Sequence, residues 1–216
     1  MSRGELLDAI VLRSYDVGEA DRFCVFLTRE RGRIAARASG ARKMKSRLGG
    51  SLQMLQHITL GLQEGSAGFI VTSASLLEEP KAMADLPFFL CMEQGMEILL
   101  SLVQHEHPLP DVFDATLCFI RQGRISPSRA LLWYELRLLH LLGLLPEQEE
   151  MERRSALSAM ECLFLSRAYA GELHETESDQ LGTLRTLCTR MVEDQLSKPL
   201  RSTAFKAILD TAAAAA

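Results

Sequence analysis

Residues 23–38, FCVFLTRERGRIAARA, predict a β-hairpin. The first six residues form an apolar run typical of a strand, and Arg31 and Gly32 then mark a tight reversal. After the reversal, Arg33 and Arg37 alternate with small apolar residues, and a strand places alternate side chains on opposite faces. We therefore expect a half-buried strand whose outer face is cationic.

The segments on either side of this hairpin extend the β pattern. Residues 9–15 form an apolar run, residues 39–50 are expected to form a polar loop, and further strands are predicted at 52–62 and 69–75. In the strand at 52–62, His57 falls on the face expected to meet water. Five strands in about seventy residues, without crossover helices, favour a small closed antiparallel barrel. The OB-fold is the leading candidate, and an SH3-like barrel is the rival.

Positive charge is concentrated in residues 29–50, RERGRIAARASGARKMKSRLGG. This segment has eight basic residues and one acidic residue, whereas the whole chain has 24 basic residues, 28 acidic residues and a net charge of -4. A cationic segment in an otherwise acidic chain indicates a directed contact with nucleic acid, although a solvated basic loop has the same composition. The predicted nucleic-acid-binding residues are Arg13, Arg33, Arg37, Arg42, Lys43, Lys45 and Arg47, with Tyr15 as a ring that stacks on a base.

Two other rings lie near this segment, Phe23 and Phe69. Because both begin apolar runs, a place in the core explains them at least as well as base stacking does. A small supply of rings implies binding led by phosphate contacts, with weak sequence preference.

From Pro80 onward the sequence pattern becomes helical. The predicted helices lie at 88–104, 111–121, 127–142, 156–170 and 179–196, with a last short helix from about residue 202. We expect an OB-fold domain at 1–79 and an all-α domain at 80–216. The fold class is therefore α+β, with a five-stranded barrel followed by helices.

The clearest of these helices follows Ser126 and Pro127. The serine hydroxyl is expected to accept a hydrogen bond from an unpaired backbone amide, and proline suits the first helical position. Gly143 can adopt the left-handed backbone conformation that commonly ends a helix. Leucines and Trp133 cover most of the circumference, so this helix should be central to its domain.

No set of catalytic groups converges in the sequence. The chain has no GxxxxGK[ST] phosphate loop, no GxSxG nucleophile elbow and no HExxH zinc helix, and His105-Glu106-His107 is best explained as a solvated turn. Its five cysteines are scattered without a CxxC pair, which is typical of buried thiols in a reducing compartment. No apolar run is long enough to cross a bilayer. We expect a cytoplasmic binding protein that is not an enzyme and that has no metal or cofactor.

The order of three segments resembles the RecO family of bacterial recombination mediators. They are LRSYDVGEADRFCVFLTRERGRIAARASGARKMKSRLGG at 12–50, WYELRLLHLLGLLP at 133–146 and KPLRS at 198–202. The resemblance covers most of the chain and is most specific over 9–52. It implies an OB-fold that binds single- and double-stranded DNA, a helical domain, and strand annealing without ATP. It also implies action with RecR to load RecA onto strands coated by single-stranded-DNA-binding protein, in the bacterial cytoplasm near the nucleoid.

The resemblance has one departure and one further implication. Many family members have a four-cysteine zinc module after the central helix, whereas residues 146–170 contain only Cys162, so we predict no zinc. The family also implies that the helical domain grips the acidic tail of single-stranded-DNA-binding protein, which we place near Arg129, Leu132 and Arg137. From the residues alone, a leucine-rich helix is better explained by a place in the core.

Two other classes of function remain open from the sequence. One is a protein-interaction adaptor whose basic loop contacts an acidic partner. The other is an RNA-binding barrel of translation or RNA maturation.

Overall fold

The computed structural model describes residues 4–79, 85–173, 180–196, 198 and 200–202, and only the backbone of Arg154. The short helix predicted from residue 202 lies outside these residues. The described chain divides into two compact units, one of residues 4–79 and 103–117 and the other of residues 85–102 and 118–202. The predicted domains, 1–79 and 80–216, differ from these units in the placement of residues 103–117.

The first unit contains a closed five-stranded barrel. Its strands are β1 (Glu5–Val17), β2 (Asp21–Thr28), β3 (Gly32–Ala38), β4 (His57–Gly65) and β5 (Gly68–Glu78). They are paired in the order β1-β2-β3-β5-β4, and β4 pairs back with β1 to close the barrel. All pairs are antiparallel except β3 with β5, which run parallel. The predicted OB-fold is confirmed.

The barrel interior follows the period of two along each strand. On β3, Ile34, Ala36 and Ala38 are buried, whereas the side chain of Arg33 is partly exposed and that of Arg37 is exposed. The predicted cationic face of this strand is therefore present. Phe26 and Leu60 are fully buried in the same core.

The predicted strand at 52–62 is wrong over its first five residues. A short 3-10 helix spans Gly49–Ser51, and β4 begins only at His57. The side chain of Gln56 causes the turn between them, because it accepts from the Gln53 backbone amide and donates to the Gly50 carbonyl oxygen, each at 2.9 Å. Leu52 is buried in the barrel core although it is not in a strand.

The sequence pattern predicted that His57 would lie on the face exposed to water. The structure instead places most of its side chain out of contact with solvent. Its side chain is 13% exposed, and its Nε2 lies 2.5 Å from a carboxylate oxygen of Asp8. The ring of Phe113 packs edge-on against the imidazole at 5.9 Å between centroids. The alternation of residues along a strand cannot predict a contact with a ring so far away in the sequence.

Residues 103–117 pack onto the barrel. The Glu106 backbone amide donates to the Arg33 carbonyl oxygen at 2.9 Å, and a parallel bridge joins Arg33 to His105. The side chains of the predicted turn at 105–107 are exposed, but their backbone is attached to β3. Farther along, Asp114 forms an ion pair of 2.5 Å with Arg29.

The second unit is helical. Its helices, with α2 beginning in the first unit, are α1 (Leu86–Leu102), α2 (Pro110–Gln122), α3 (Pro127–Leu141), α4 (Gln148–Ser155), α5 (Ala159–Ala170) and α6 (Gly182–Gln195). Contacts with α1, α5 and α6 place α3 at the centre, as predicted. Trp133 and Tyr134 are buried, and Tyr134 stacks on Phe119 with 4.4 Å between ring centroids.

The ends of α3 agree with the sequence pattern in part. Pro127 occupies the first turn, and Gly143 has the left-handed backbone expected after the helix, with φ of 69°. The predicted cap is wrong, because the Ser126 side chain makes no capping hydrogen bond. None of the described helices combines the length and the apolar surface that crossing a bilayer requires.

Gly32→Ala is expected to destabilise the first unit strongly. Gly32 has φ of 69°, and an added Cβ would lie 1.8 Å from the carbonyl oxygen of His107. Gly18→Ala is the matched control, since φ is 58° there and an added Cβ meets no described atom within 4 Å. Left-handed strain costs about 1–2 kcal/mol in both variants. We expect Gly32→Ala to lose at least about 2 kcal/mol more in urea unfolding followed by circular dichroism. Equal losses would contradict the close packing of 105–107 on β3.

Candidate nucleic-acid interface

The first two arginines of the basic segment brace the barrel. Arg29 forms ion pairs with Asp114 and Asp8, and its guanidinium lies 4.7 Å from the centre of the Phe113 ring. The hydrogen bonds to Asp114 raise the pKa of Arg29 above its ordinary value. Arg31 pairs with Glu5 at 3.3 Å. Both charges are thus used within the first unit.

Two predicted contacts, Arg13 and Arg33, are only partly exposed. Arg13 Nη1 lies 2.9 Å from the sulfur of Met54. Burial lowers the pKa of Arg33, whose backbone carbonyl is engaged by Glu106. These two arginines therefore present less charged surface than their sequence positions suggest.

Asp21 fixes the start of the loop that follows β3. Its Oδ2 accepts from Arg37 Nη2 at 2.6 Å and Nε at 2.9 Å, and its Oδ1 accepts from the Gly40 backbone amide at 2.7 Å. The bond from Gly40, followed by the bond from Arg37, lowers the pKa of Asp21. Because the folded pKa is depressed, this anchor is complete above about pH 4 and is lost as the pH falls through the lowered value. Most of the Arg37 side chain remains exposed.

Asp16 and Arg42 hold the same loop to the β1–β2 turn. Arg42 donates to the Gly18 carbonyl oxygen at 2.8 Å, and its Nε lies 3.3 Å from Asp16. Arg22 bridges from Asp16, at 3.3 Å, to the Gly49 carbonyl oxygen, at 3.2 Å. Arg42 was predicted as a nucleic-acid contact, and in the structure it also joins the loop to the barrel.

The tip of this loop carries the remaining predicted cations, Lys43, Lys45 and Arg47. All three are exposed, and none forms an ion pair with a carboxylate of the described residues. Met44, between the two lysines, is fully exposed. Ala41 packs into the barrel core, so the loop is held from below while its charged tip faces solvent.

Two rings lie on the outer face of the barrel. Tyr15 and Phe23 are paired in register on β1 and β2, and their exposed fractions are 52% and 41%. The alternation that reveals Phe23 was obscured in the sequence, because an apolar run continues through both faces of β2. Phe69 is half-buried, with the Arg31 guanidinium 5.1 Å from its ring centre.

An open pocket of about 460 Å³ adjoins Tyr15. Its lining residues are Ser14, Tyr15, Asp16, Arg22, Leu52 and Gln53. The predicted residues Tyr15, Arg37 and Arg42 thus lie around one end of the barrel, linked through Asp16 and Asp21. Arg33 lies four residues away on β3, or roughly 13 Å along the strand.

Comparison with known proteins identifies the family. Residues 1–79 match the model of the family described as recombination protein O, N terminal. The chain belongs to the RecO family. The DNA repair protein RecO of Anaeromyxobacter dehalogenans strain 2CP-C is 32% identical over 155 residues, which are 69% of this chain and 61% of the relative.

Two further relatives have the same description. The DNA repair protein RecO of Heliobacterium modesticaldum is 36% identical over 140 residues, covering 64% of this chain and 51% of the relative. The DNA repair protein RecO of Nocardioides sp. is 34% identical over 158 residues, covering 70% of this chain and 65% of the relative. This RecO family chain spans less than two thirds of the length of these relatives.

The helical unit of this RecO family member holds the three residues predicted to bind a partner. Arg129 is partly exposed, whereas Leu132 is buried, so the leucine adds no exposed surface. Arg137 Nη1 donates to the carbonyl oxygen of Tyr169 at the end of α5. Arg137 therefore has a structural partner, and a role for Arg129 and Arg137 in partner binding stays a prediction.

Tyr169 extends this contact at the end of α5. Its hydroxyl donates to the Pro146 carbonyl oxygen at 2.6 Å, and burial, followed by the charge of Glu147, raises its pKa to about 12. Its ring lies against His140, whose pKa is lowered by burial and by Arg137. Both pKa shifts favour the neutral forms of Tyr169 and His140 beside the charge of Arg137.

Cysteine and histidine do not assemble into a metal site in the part of the chain that the structure describes. All five cysteines are free thiols, and Cys24, Cys91 and Cys188 are buried. Burial raises the pKa of Cys91 to about 12. The absence of a zinc module stays a prediction from the sequence.

Asp21→Ala is expected to release the start of the loop. The variant loses the acceptor for the Gly40 amide. Asp21→Asn keeps an oxygen for that amide, but it loses the charge and replaces the Oδ2 that accepts from Arg37 by an amide nitrogen. We expect exchange of the Gly40 amide hydrogen to be roughly tenfold faster in Asp21→Ala and within about threefold of wild type in Asp21→Asn. Hydrogen exchange measured by NMR checks both variants. An unchanged Gly40 rate in Asp21→Ala would show that the carboxylate does not hold the loop.

Proposed function

We propose that this protein acts in DNA repair and recombination and that its barrel binds DNA through the phosphate backbone. The observation that carries the proposal is the loop tip, where Lys43, Lys45 and Arg47 are exposed without a described carboxylate partner. The anchors at Asp16 and Asp21 position this charge in advance, so binding requires little ordering of the loop. The names of the family relatives support the same function.

Strand annealing is the activity that we propose for this surface. Two complementary strands repel one another through their phosphates, and a cationic surface that neutralises part of that charge lowers the barrier to pairing. Because phosphate contacts do not read sequence, the surface accepts any pair of strands and leaves recognition to base pairing.

We further propose partners on the basis of the family. The resemblance implies action with RecR to load RecA onto strands coated by single-stranded-DNA-binding protein. Arg129, a partly exposed cation of the helical unit, is the residue that we assign to the acidic tail of the coating protein. An annealing assay on coated and uncoated strands tests this assignment, since Arg129→Ala should slow annealing only of coated strands.

Replacing Lys43, Lys45 and Arg47 together by alanine should weaken DNA binding and its dependence on salt. Each lost phosphate contact to a single strand lowers the slope of log affinity against log salt by about 0.7, so the slope should fall by about 2. The thermal transition should stay within about 2 °C of wild type, because these side chains are exposed. Fluorescence anisotropy with a labelled single strand at several salt concentrations provides the measurement.

The control for this variant removes the same charge from the helical unit. Arg124, Arg153 and Arg190 are exposed, and none forms an ion pair with a described residue. Their triple alanine variant should keep the wild-type slope. A wild-type slope in the loop variant would refute the proposed surface, and tighter binding of a competing RNA strand would favour an RNA-binding barrel instead.

Asp16→Asn should strengthen DNA binding. The substitution removes a negative charge beside Arg22 and Arg42, while the amide oxygen can still accept from either arginine. We expect a gain of about two- to fivefold in affinity at low salt, and a smaller gain at high salt. Glu149→Gln changes the net charge equally in the helical unit and should have no effect. Equal gains in the two variants would mean that only the overall charge matters.

A further inference from the structure

Met44 is an apolar side chain at the tip of the cationic loop. It is fully exposed, and among the large apolar residues of the described chain the next most exposed is Leu6, at 70%. Met44 therefore takes no part in the packing of the described residues. A single exposed apolar side chain is common on protein surfaces, so the surroundings of Met44 decide whether it has a function.

A tight turn presents Met44 to solvent. The Ser46 backbone amide donates to the Lys43 carbonyl oxygen at 2.8 Å, which places Met44 and Lys45 at the two corners of the turn. A second turn precedes it, because the Lys43 amide donates to the Gly40 carbonyl oxygen at 3.1 Å. The methionine thus stands at the end of two consecutive hydrogen-bonded turns.

Both ends of this segment are attached to the barrel. Ala41 is buried in the barrel core, and Leu48 packs against the same core from the other end. The Leu48 backbone amide also donates to the Ser46 hydroxyl at 3.2 Å. The tip is therefore in place before a ligand arrives, and insertion of its side chain into a ligand requires little ordering of the loop.

Positive charge surrounds this apolar side chain. Lys43, Lys45 and Arg47 are exposed, and phosphates attract them. Proteins that kink DNA use the same combination, in which cations hold the backbone while an apolar side chain, methionine among them, enters between two base steps. Methionine is unbranched and flexible, so it adapts to an irregular gap. An anionic lipid surface also attracts cations, but one methionine adds little to a membrane anchor.

We infer that Met44 is a wedge that enters the base stack of a DNA duplex where stacking is already weak, as at a mismatched pair. The inference rests on the proposed DNA binding and names its substrate class, the imperfect duplex. Unstacking costs less free energy at a mismatched pair than at a matched one. In an annealing reaction, the wedge therefore acts against strands that have paired incorrectly.

The test compares two labelled duplexes of equal length, one fully paired and the other with a central mismatch. Wild-type protein should bind the mismatched duplex roughly fivefold to tenfold more tightly in fluorescence anisotropy. The fluorescence of 2-aminopurine placed next to the mismatch should rise on binding, because unstacking relieves its quenching. Met44→Ala should bind both duplexes with the wild-type affinity for the paired one, and the fluorescence should not change.

Two control variants accompany Met44→Ala. Met44→Leu keeps an apolar side chain of similar volume, so it should retain the preference and the rise in fluorescence. Leu6→Ala removes an exposed apolar side chain near the start of β1, far along the strand from Asp16, and it should behave as wild type. Because Met44 is fully exposed, the thermal transition of its variants should match that of wild type.

The outcomes separate this inference from the proposed function. Equal binding of the two duplexes by wild-type protein, or a preference that survives in Met44→Ala, would overturn the wedge and leave phosphate binding intact. Binding to vesicles of anionic lipid that depends on Met44, without an effect of Met44 on either duplex, would assign the side chain to a membrane instead. Failure to bind either duplex at low salt would also overturn the wedge, and failure to bind a single strand as well would overturn the proposed function.

Discussion

A single carboxylate, that of Asp21, organises the cationic end of the barrel. One of its oxygens accepts from the backbone amide of Gly40 in the loop, and the other accepts from Arg37 on the adjacent strand. The loop therefore leaves β3 in a defined direction, and its lysines are carried outward rather than back onto the barrel. The carboxylate of Asp16 holds Arg42, farther along the same loop, through an ion pair. The acids near this surface reduce its net charge, and in exchange they fix where the remaining charge lies.

This arrangement divides the basic residues by role. Arg29 and Arg31 stabilise the barrel, Arg37 and Arg42 join the loop to it, and the three cations at the tip remain available to a ligand. A count of charges in the sequence treats all of them alike. Their difference comes from acids that are distant in the chain, and one of the two partners of Arg29, Asp114, lies 85 residues away.

Much of the barrel could be predicted because its side chains alternate. The period of two in β3 located both the core and the cationic face. The parallel pairing of β3 with β5 could not be predicted, since it depends on closure of the whole barrel. The turn made by Gln56 was missed because a buried amide, not a glycine or proline, bends the chain. Phe23 was hidden for a different reason, because an exposed ring followed directly by a largely buried apolar run has the sequence pattern of a core strand.

The discontinuity of the first unit has a consequence for synthesis. Residues 103–117 supply Phe113 and Asp114 to the barrel, yet the ribosome makes the whole of α1 between β5 and this segment. The nascent barrel therefore emerges with His57 uncovered and Arg29 lacking Asp114, and it reaches its final packing only after a helix of the other unit has left the exit tunnel. The first unit can therefore be completed only after α1 of the second unit has been synthesised.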